Sequence, residues 1–133
     1  MFQKTIKNKI KITGKGLHTG KKSTVRMLPA PENTGVLFCR TDLKERPFIR
    51  AIIENVSHTK RRTVIQDNGI IIETVEHLLA AIYAYSIHNV IIEIDGEEIP
   101  ILDGSAKIFV QEIEKAGVID QKKRITQIQI PDY

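Results

Sequence analysis

Glu76 and His77 stand side by side in the stretch TVEHLLAA, residues 74–81. Neighbouring positions on a helix point about 100° apart. A metal ion held by His77 would therefore have the Glu76 carboxylate beside its water without that carboxylate being a ligand. A glutamate so placed can take a proton from a water that the metal has made more acidic. The same pair serves equally well as the polar start of a helix. A catalytic zinc takes three protein ligands and keeps a fourth position open. The other histidines are His18, His58 and His88, and no HxxxH or HxH spacing occurs. His88 lies about 16 Å beyond His77 on a continuous helix, too far to grip the same ion. The chain shows one good ligand and not a complete site.

Two further segments could meet an anion. GKGLHTGKK, residues 14–22, combines glycines and a threonine with Lys15, Lys21 and Lys22. It could expose backbone amides and charge to phosphate, or form a tight turn. It does not match the phosphate loop GxxxxGK followed by Ser or Thr. Lys60, Arg61 and Arg62 form a basic cluster that reads as a solvated strand edge, or as a diphosphate contact if it faces a cleft. The single cysteine, Cys39, can form neither an intramolecular disulfide nor a thiolate metal site alone, and a buried strand position is expected for it.

These groups need positioning elements. Residues 5–13 alternate isoleucine with lysine and predict a half-buried strand, ended by the turn 14–20. Strands are expected at 23–28, 36–39 and 48–53, with 29–35 as a turn. Asp67-Asn68-Gly69 joins 63–66 to 70–73 as a hairpin, because Asn-Gly tolerates positive φ. Residues 74–86 lack proline and glycine and predict a helix. Its large residues Val75, Leu78, Leu79, Ile82 and Tyr85 form one stripe; His77, Ala80, Ala81 and Ala84 form a second, small one. A helix apolar on nearly every side is expected to be covered more than once. A strand at 90–95 follows, then the loop EEIPILDGS, whose Asp103 or Ser105 can cap a helix over 106–116 that stops at Gly117. A last strand is expected at 124–130. Strands and two helices without strict alternation point to an α+β fold, a two-layer sandwich of a mostly antiparallel sheet with both helices on one face.

The 133 residues allow one domain or half of a larger enzyme. Hydrophobic residues at 41% and charged residues at 27% allow a real core and exclude intrinsic disorder. Twenty basic against sixteen acidic residues give a net charge of +4, which favours an anionic partner without choosing one. Aromatics are 5% and tryptophan is absent, so a stacked single-stranded nucleic acid is not expected as partner. No apolar run reaches the roughly 18–20 residues that span a bilayer. The opening MFQKTIKNKIKI lacks the layout of a signal peptide, and a cytoplasmic location is expected.

GKGLHTGKK at 14–22, PAPENTGVLFCRTD at 29–42, TVEHLLAA at 74–81 and EIPILDGSA at 98–106 together resemble the UDP-3-O-acyl-N-acetylglucosamine deacetylases, zinc enzymes of lipid A biosynthesis. The order and spacing of all four blocks carry the resemblance; no single block would. It implies an enzyme of two similar domains whose helices lie between two sheets, with this chain as the first domain (residues 1–121) and 122–133 opening the second or connecting to it. It implies that His77 is a zinc ligand, that Glu76 is the general base, and that His18 faces the substrate cleft. The remaining ligands would come from an HKxxD motif in the second domain, and no HKxxD occurs in this sequence. Lys60, Arg61 and Arg62 depart from the less basic residues common there, so a substrate contact for Lys60 and Arg61 is inferred from charge alone.

The expected substrate is UDP-3-O-acyl-N-acetylglucosamine, and the expected partner is the missing second domain. The alternatives are a non-catalytic binding or regulatory module on the same scaffold and, more weakly, a basic RNA-binding domain. In isolation the stripe Ala80, Ala81 and Ala84 would be uncovered, and a homodimer through it is expected.

Overall fold

The computed structural model describes residues 1–59 and 61–126. Alternation decides the layering. In strand β3 (Lys22–Pro29) Ser23, Val25 and Met27 are buried and the residues between them are not. In β9 (Val90–Ile94) Val90, Ile92 and Ile94 are buried. One face of the sheet is therefore covered and the other is wetter, as expected of two layers. The main sheet runs β2-β3-β9-β4-β5, with β2 at Ile10–Lys15, β4 at Val36–Arg40 and β5 at Phe48–Arg50. Its pairs are antiparallel except β4 with β9, where Phe38 lies opposite Ile92.

A two-stranded sheet pairs β1 (Phe2–Ile6) with β10 (Val118–Arg124). A three-stranded sheet holds β6 (Val56–Thr59), β7 (Arg62–Asp67) and β8 (Ile70–Glu73). Helices α1 (Glu76–Ala84) and α2 (Lys107–Ala116) pack on each other. Phe109 and Ile113 of α2 join Leu78 and Ile82 of α1, Val25, Met27, Phe38 and Ile92 in one core. The fold is α+β and mostly antiparallel, as expected. No helix among the described residues is long and apolar enough to cross a membrane.

Several local expectations hold. Asn68 and Gly69 both take positive φ (50° and 77°) between β7 and β8, the geometry of a two-residue hairpin turn. Cys39 is buried in β4, and burial pushes its thiol pKa up. The cap expected from Asp103 or Ser105 is not formed as such: the N-cap of α2 is Ala106, without a side-chain cap bond, although the Ser105 hydroxyl accepts the Lys107 amide at 3.1 Å.

Others are corrected. The strand expected over 5–13 is two strands, because the chain turns at residues 7–9. There the Lys7 amide donates to the Gly117 carbonyl (2.8 Å) and the Asn8 side chain to the Ala116 carbonyl (3.0 Å). Its two halves then serve different sheets. The strand expected over 48–53 stops at Arg50 and gives way to a single 3-10 turn at Ile53–Asn55. Strands β6 and β10 were not expected. Strand β10 runs to Arg124; residues 127–130 of the strand expected over 124–130 lie outside the described residues.

The small stripe of α1 also needs correction. Ala80 and Ala84 are exposed, but Ala81 is fully buried. Ala81 is three positions after Leu78 and thus shares its face, so it belongs to the packed stripe.

Phe109→Ala should cost about 3–5 kcal/mol in urea unfolding, because a fully buried ring leaves a cavity. Ile53→Ala, at a residue 88% exposed, should stay within about 0.5 kcal/mol.

Candidate active site

Helix α1 starts where strand β7 and the loops at residues 14–21 and 95–106 converge. The amides of Thr74 and Val75 donate to the Thr63 carbonyl at 2.9 and 3.3 Å. The Thr63 amide in turn donates to Glu76 Oε2 at 3.2 Å. These bonds lace β7 to the first turn of the helix and orient the Glu76 carboxylate. Glu76 and His77 are both half-buried. Among the described residues the His77 ring has no hydrogen-bond partner. Thr74, just before the helix, sits at φ 60°, a conformation in which a β-branched residue is an outlier.

Beneath this start lies Glu98, 2% exposed. The Thr74 hydroxyl donates to its Oε2 at 2.6 Å. From the 14–21 loop, the His18 amide reaches Oε1 at 3.0 Å and the Thr19 amide reaches Oε1 at 2.8 Å. His18 Nδ1 lies 2.8 Å from Oε2. The Glu98 carbonyl accepts the Ser23 hydroxyl at 2.9 Å. Burial alone would raise the pKa of Glu98, but the hydrogen bonds from Thr74, Thr19 and His18 prevail and bring it down to about 2. Each of these groups stabilises the charged carboxylate. A side chain at residue 16 would have no room: a Cβ on Gly16 would fall 2.1 Å from Glu98 Oε1.

The 14–21 loop is a tight turn with its own resident anion. Its Gly16 amide donates to the Lys21 carbonyl and its Gly20 amide to the Gly16 carbonyl, at 3.0 and 3.1 Å, while the amides of His18 and Thr19 are taken by Glu98. The nearby cleft is lined by Lys21, Lys22 and Arg40 but also by Asp42, Asp95 and Glu97, so its charge is mixed. Arg40 is committed within the protein, to both carboxylate oxygens of Asp42 (2.9 and 2.7 Å) and to the Ile71 carbonyl (2.8 Å).

Of the sequence-predicted residues, Glu76 and His77 share the first turn of α1, and His18 joins them through Thr74, whose Oγ1 is 3.4 Å from His18 Nδ1. Arg61 is exposed in the β6–β7 turn; Lys60 lies outside the described residues. Arg62 points back to Glu73 at 3.0 Å. His58 is exposed on β6, and His88 accepts the Lys4 amide (2.9 Å), away from the helix start. Glu98 and Thr74 were missed as site-building residues. The faint signal was an acidic residue followed by an apolar Ile-Pro-Ile-Leu run, which suggests a carboxylate carried into the interior.

The sequence profile of the UDP-3-O-acyl N-acetylglycosamine deacetylases matches residues 3–132. The chain belongs to this family. It is 50% identical over 119 residues to the bifunctional enzyme LpxC/FabZ of Bacteroides thetaiotaomicron, covering 90% of this chain and 26% of that protein. It is 47% identical over 130 residues to the UDP-3-O-acyl-N-acetylglucosamine deacetylase of Thermodesulfovibrio yellowstonii, covering 97% and 44%. The deacetylase of Chlamydia abortus is 44% identical over 124 residues, covering 93% and 44%. The chain spans less than half the length of these relatives.

Whether the deacetylase residues present here fit a metal can be judged from the donors. His77 offers a half-buried imidazole without a hydrogen-bond partner among the described residues, which suits a ligand. Among the described residues no group of three or more His, Cys, Asp and Glu could hold an ion. A metal held at His77 would find no complete ligand set among the described residues.

Glu98 has a stability consequence. Its pKa falls from an ordinary 4.5 to about 2 on folding, so the unfolded chain takes up the proton first as pH drops. The stabilisation is complete above the unfolded value and disappears between about pH 4.5 and 2. Urea unfolding across that window should show stability falling with pH, and Glu98→Gln should make the fall shallower. Equal slopes in the two proteins would show that the carboxylate carries no such linkage.

Proposed function

We propose that this chain is the first of two domains of a zinc-dependent deacetylase that hydrolyses the N-acetyl group of UDP-3-O-acyl-N-acetylglucosamine, in the cytoplasm, within lipid A biosynthesis. The observation that carries this reading is the first turn of α1. It presents an imidazole that has no hydrogen-bond partner among the described residues, next to a carboxylate held by the Thr63 amide, in a chain that belongs to the deacetylase family. The names of the relatives supply the substrate.

Hydrolysis of the acetamide releases acetate and leaves the sugar amine. A zinc ion, when bound, would supply Lewis-acid polarisation at the reacting carbonyl. His77 would provide one of its ligands. The Thr63 amide occupies one oxygen of Glu76 and leaves the second to accept a proton from the attacking water. His18, with Nδ1 toward Glu98, has Nε2 available to the substrate. Arg61 and Lys60 would add positive charge for the diphosphate.

In the complete protein, Glu76→Ala should lower turnover by about 10²- to 10⁴-fold, the usual worth of a positioned general base. Its zinc content should stay near that of the unmutated enzyme, whereas His77→Ala should lose both zinc and turnover. Elemental measurement of zinc in the purified variants separates the two roles, and equal metal loss in both would reject the division.

The 133-residue chain by itself should bind zinc weakly and turn over no UDP-sugar, since one ligand of three forfeits most of the chelation. Stoichiometric zinc surviving dialysis against a mild chelator, with deacetylation, would contradict this.

A further inference from the structure

The strained turn and the buried carboxylate beneath it do not belong to the acid–base chemistry, yet they touch every segment that carries it. Thr74 is held at φ 60° two residues before Glu76, and its hydroxyl bonds Glu98 at 2.6 Å. The same carboxylate oxygen lies 2.8 Å from the His18 ring. The segment that carries Glu98 is itself anchored to the end of β8. The Glu73 amide donates to the Glu97 carbonyl at 2.7 Å, and the Ile99 amide donates to the Glu73 carbonyl at 3.0 Å. Glu98 is thus placed by backbone bonds before it acts on any side chain.

We propose that Glu98 is a positioning residue for the deacetylase site: it holds Thr74 in the left-handed turn that presents Glu76 and His77, and it fixes the His18 imidazole with its proton on Nδ1. The proposal rests on the deacetylase reading for its effect on turnover only. Left-handed backbone at a β-branched residue persists only where the surroundings enforce it, and the Thr74 hydroxyl bond, with the amide bond to Thr63, is that enforcement. A carboxylate that accepts Nδ1–H leaves Nε2 of a neutral imidazole as the acceptor. Loss of such supporting contacts typically costs about 10- to 100-fold in activity.

The test removes the hydroxyl at nearly constant shape through Thr74→Val, which keeps a β-branched residue at a positive φ and loses the bond to Glu98. In the complete zinc-loaded protein the kcat of folded Thr74→Val should fall about 10- to 100-fold, with KM little changed. Thr74→Ser, which keeps the hydroxyl, should retain most of the turnover, and Thr74→Gly, which accepts positive φ without strain, should lose less than Thr74→Val. In the 133-residue chain, ¹⁵N NMR of the His18 ring should show Nδ1 protonated, and Glu98→Met, which offers no acceptor, should move the proton to Nε2 or leave the ring exchanging between forms. Unchanged kcat in folded Thr74→Val, or a His18 ring that keeps its Nδ1 proton in folded Glu98→Met, would overturn the proposal. If the unmutated complete protein deacetylates nothing, the deacetylase reading falls, and the clamp is judged by the ring-nitrogen measurement, which needs no turnover.

Discussion

The buried carboxylate of Glu98 is the point on which the site's architecture depends. A charge taken out of water survives only when donors replace the lost hydration. Here the donors come from two places far apart in sequence: two amides and a ring nitrogen of the 14–21 loop, and the hydroxyl of Thr74. None of these groups can move away without leaving the carboxylate underbonded. The requirement of one charge therefore becomes a constraint on both segments, and those segments carry His18, Glu76 and His77. The main sheet supplies the frame: β2 and β3 flank the loop, and the loop that carries Glu98 follows from β9.

Much of this was legible in the sequence. The Glu-His pair, the helix that carries it and the hairpin at Asn68-Gly69 before it are all visible in residue type and spacing. What escaped were relations between segments. Glu98 looked like one more acidic residue in a loop, because its partners are backbone amides some 80 positions away, and amides leave no mark on residue type. Thr74 was counted as helix, since propensity does not register a hydroxyl bond that draws the backbone into the left-handed region. The sequence leaves residues 14–22 as a tight turn or a phosphate contact; the turn forms, and its His18 and Thr19 amides go to Glu98.

The misread strands have the same origin. Ile6, Ile10 and Ile12 share a parity, so nothing in the pattern revealed the turn at residues 7–9 that sends one half to β10 and the other to β3. Strand β10 was hidden by its charge: of VIDQKKR only Val118 and Gln121 are partly buried, as befits a strand in a two-stranded edge sheet. Its attachment is polar. Buried Asn89 donates to both Gln3 and Gln121, at 2.9 and 2.7 Å, and Gln121 donates to the Ala30 carbonyl at 2.8 Å. Hydropathy patterning is blind to such amide networks, which hold a small sheet on a core it barely enters.

The absence of a side chain at Gly16 makes inheritance at three positions interdependent. A Cβ there would fall 2.1 Å from Glu98 Oε1 and 2.7 Å from Thr19 Oγ1, so a larger residue at 16 needs both side chains to give way, and residue 98 cannot shorten without abandoning its donors. Single steps are penalised. That is epistasis enforced by contact, and directed evolution of the helix start should vary residues 16, 19 and 98 together.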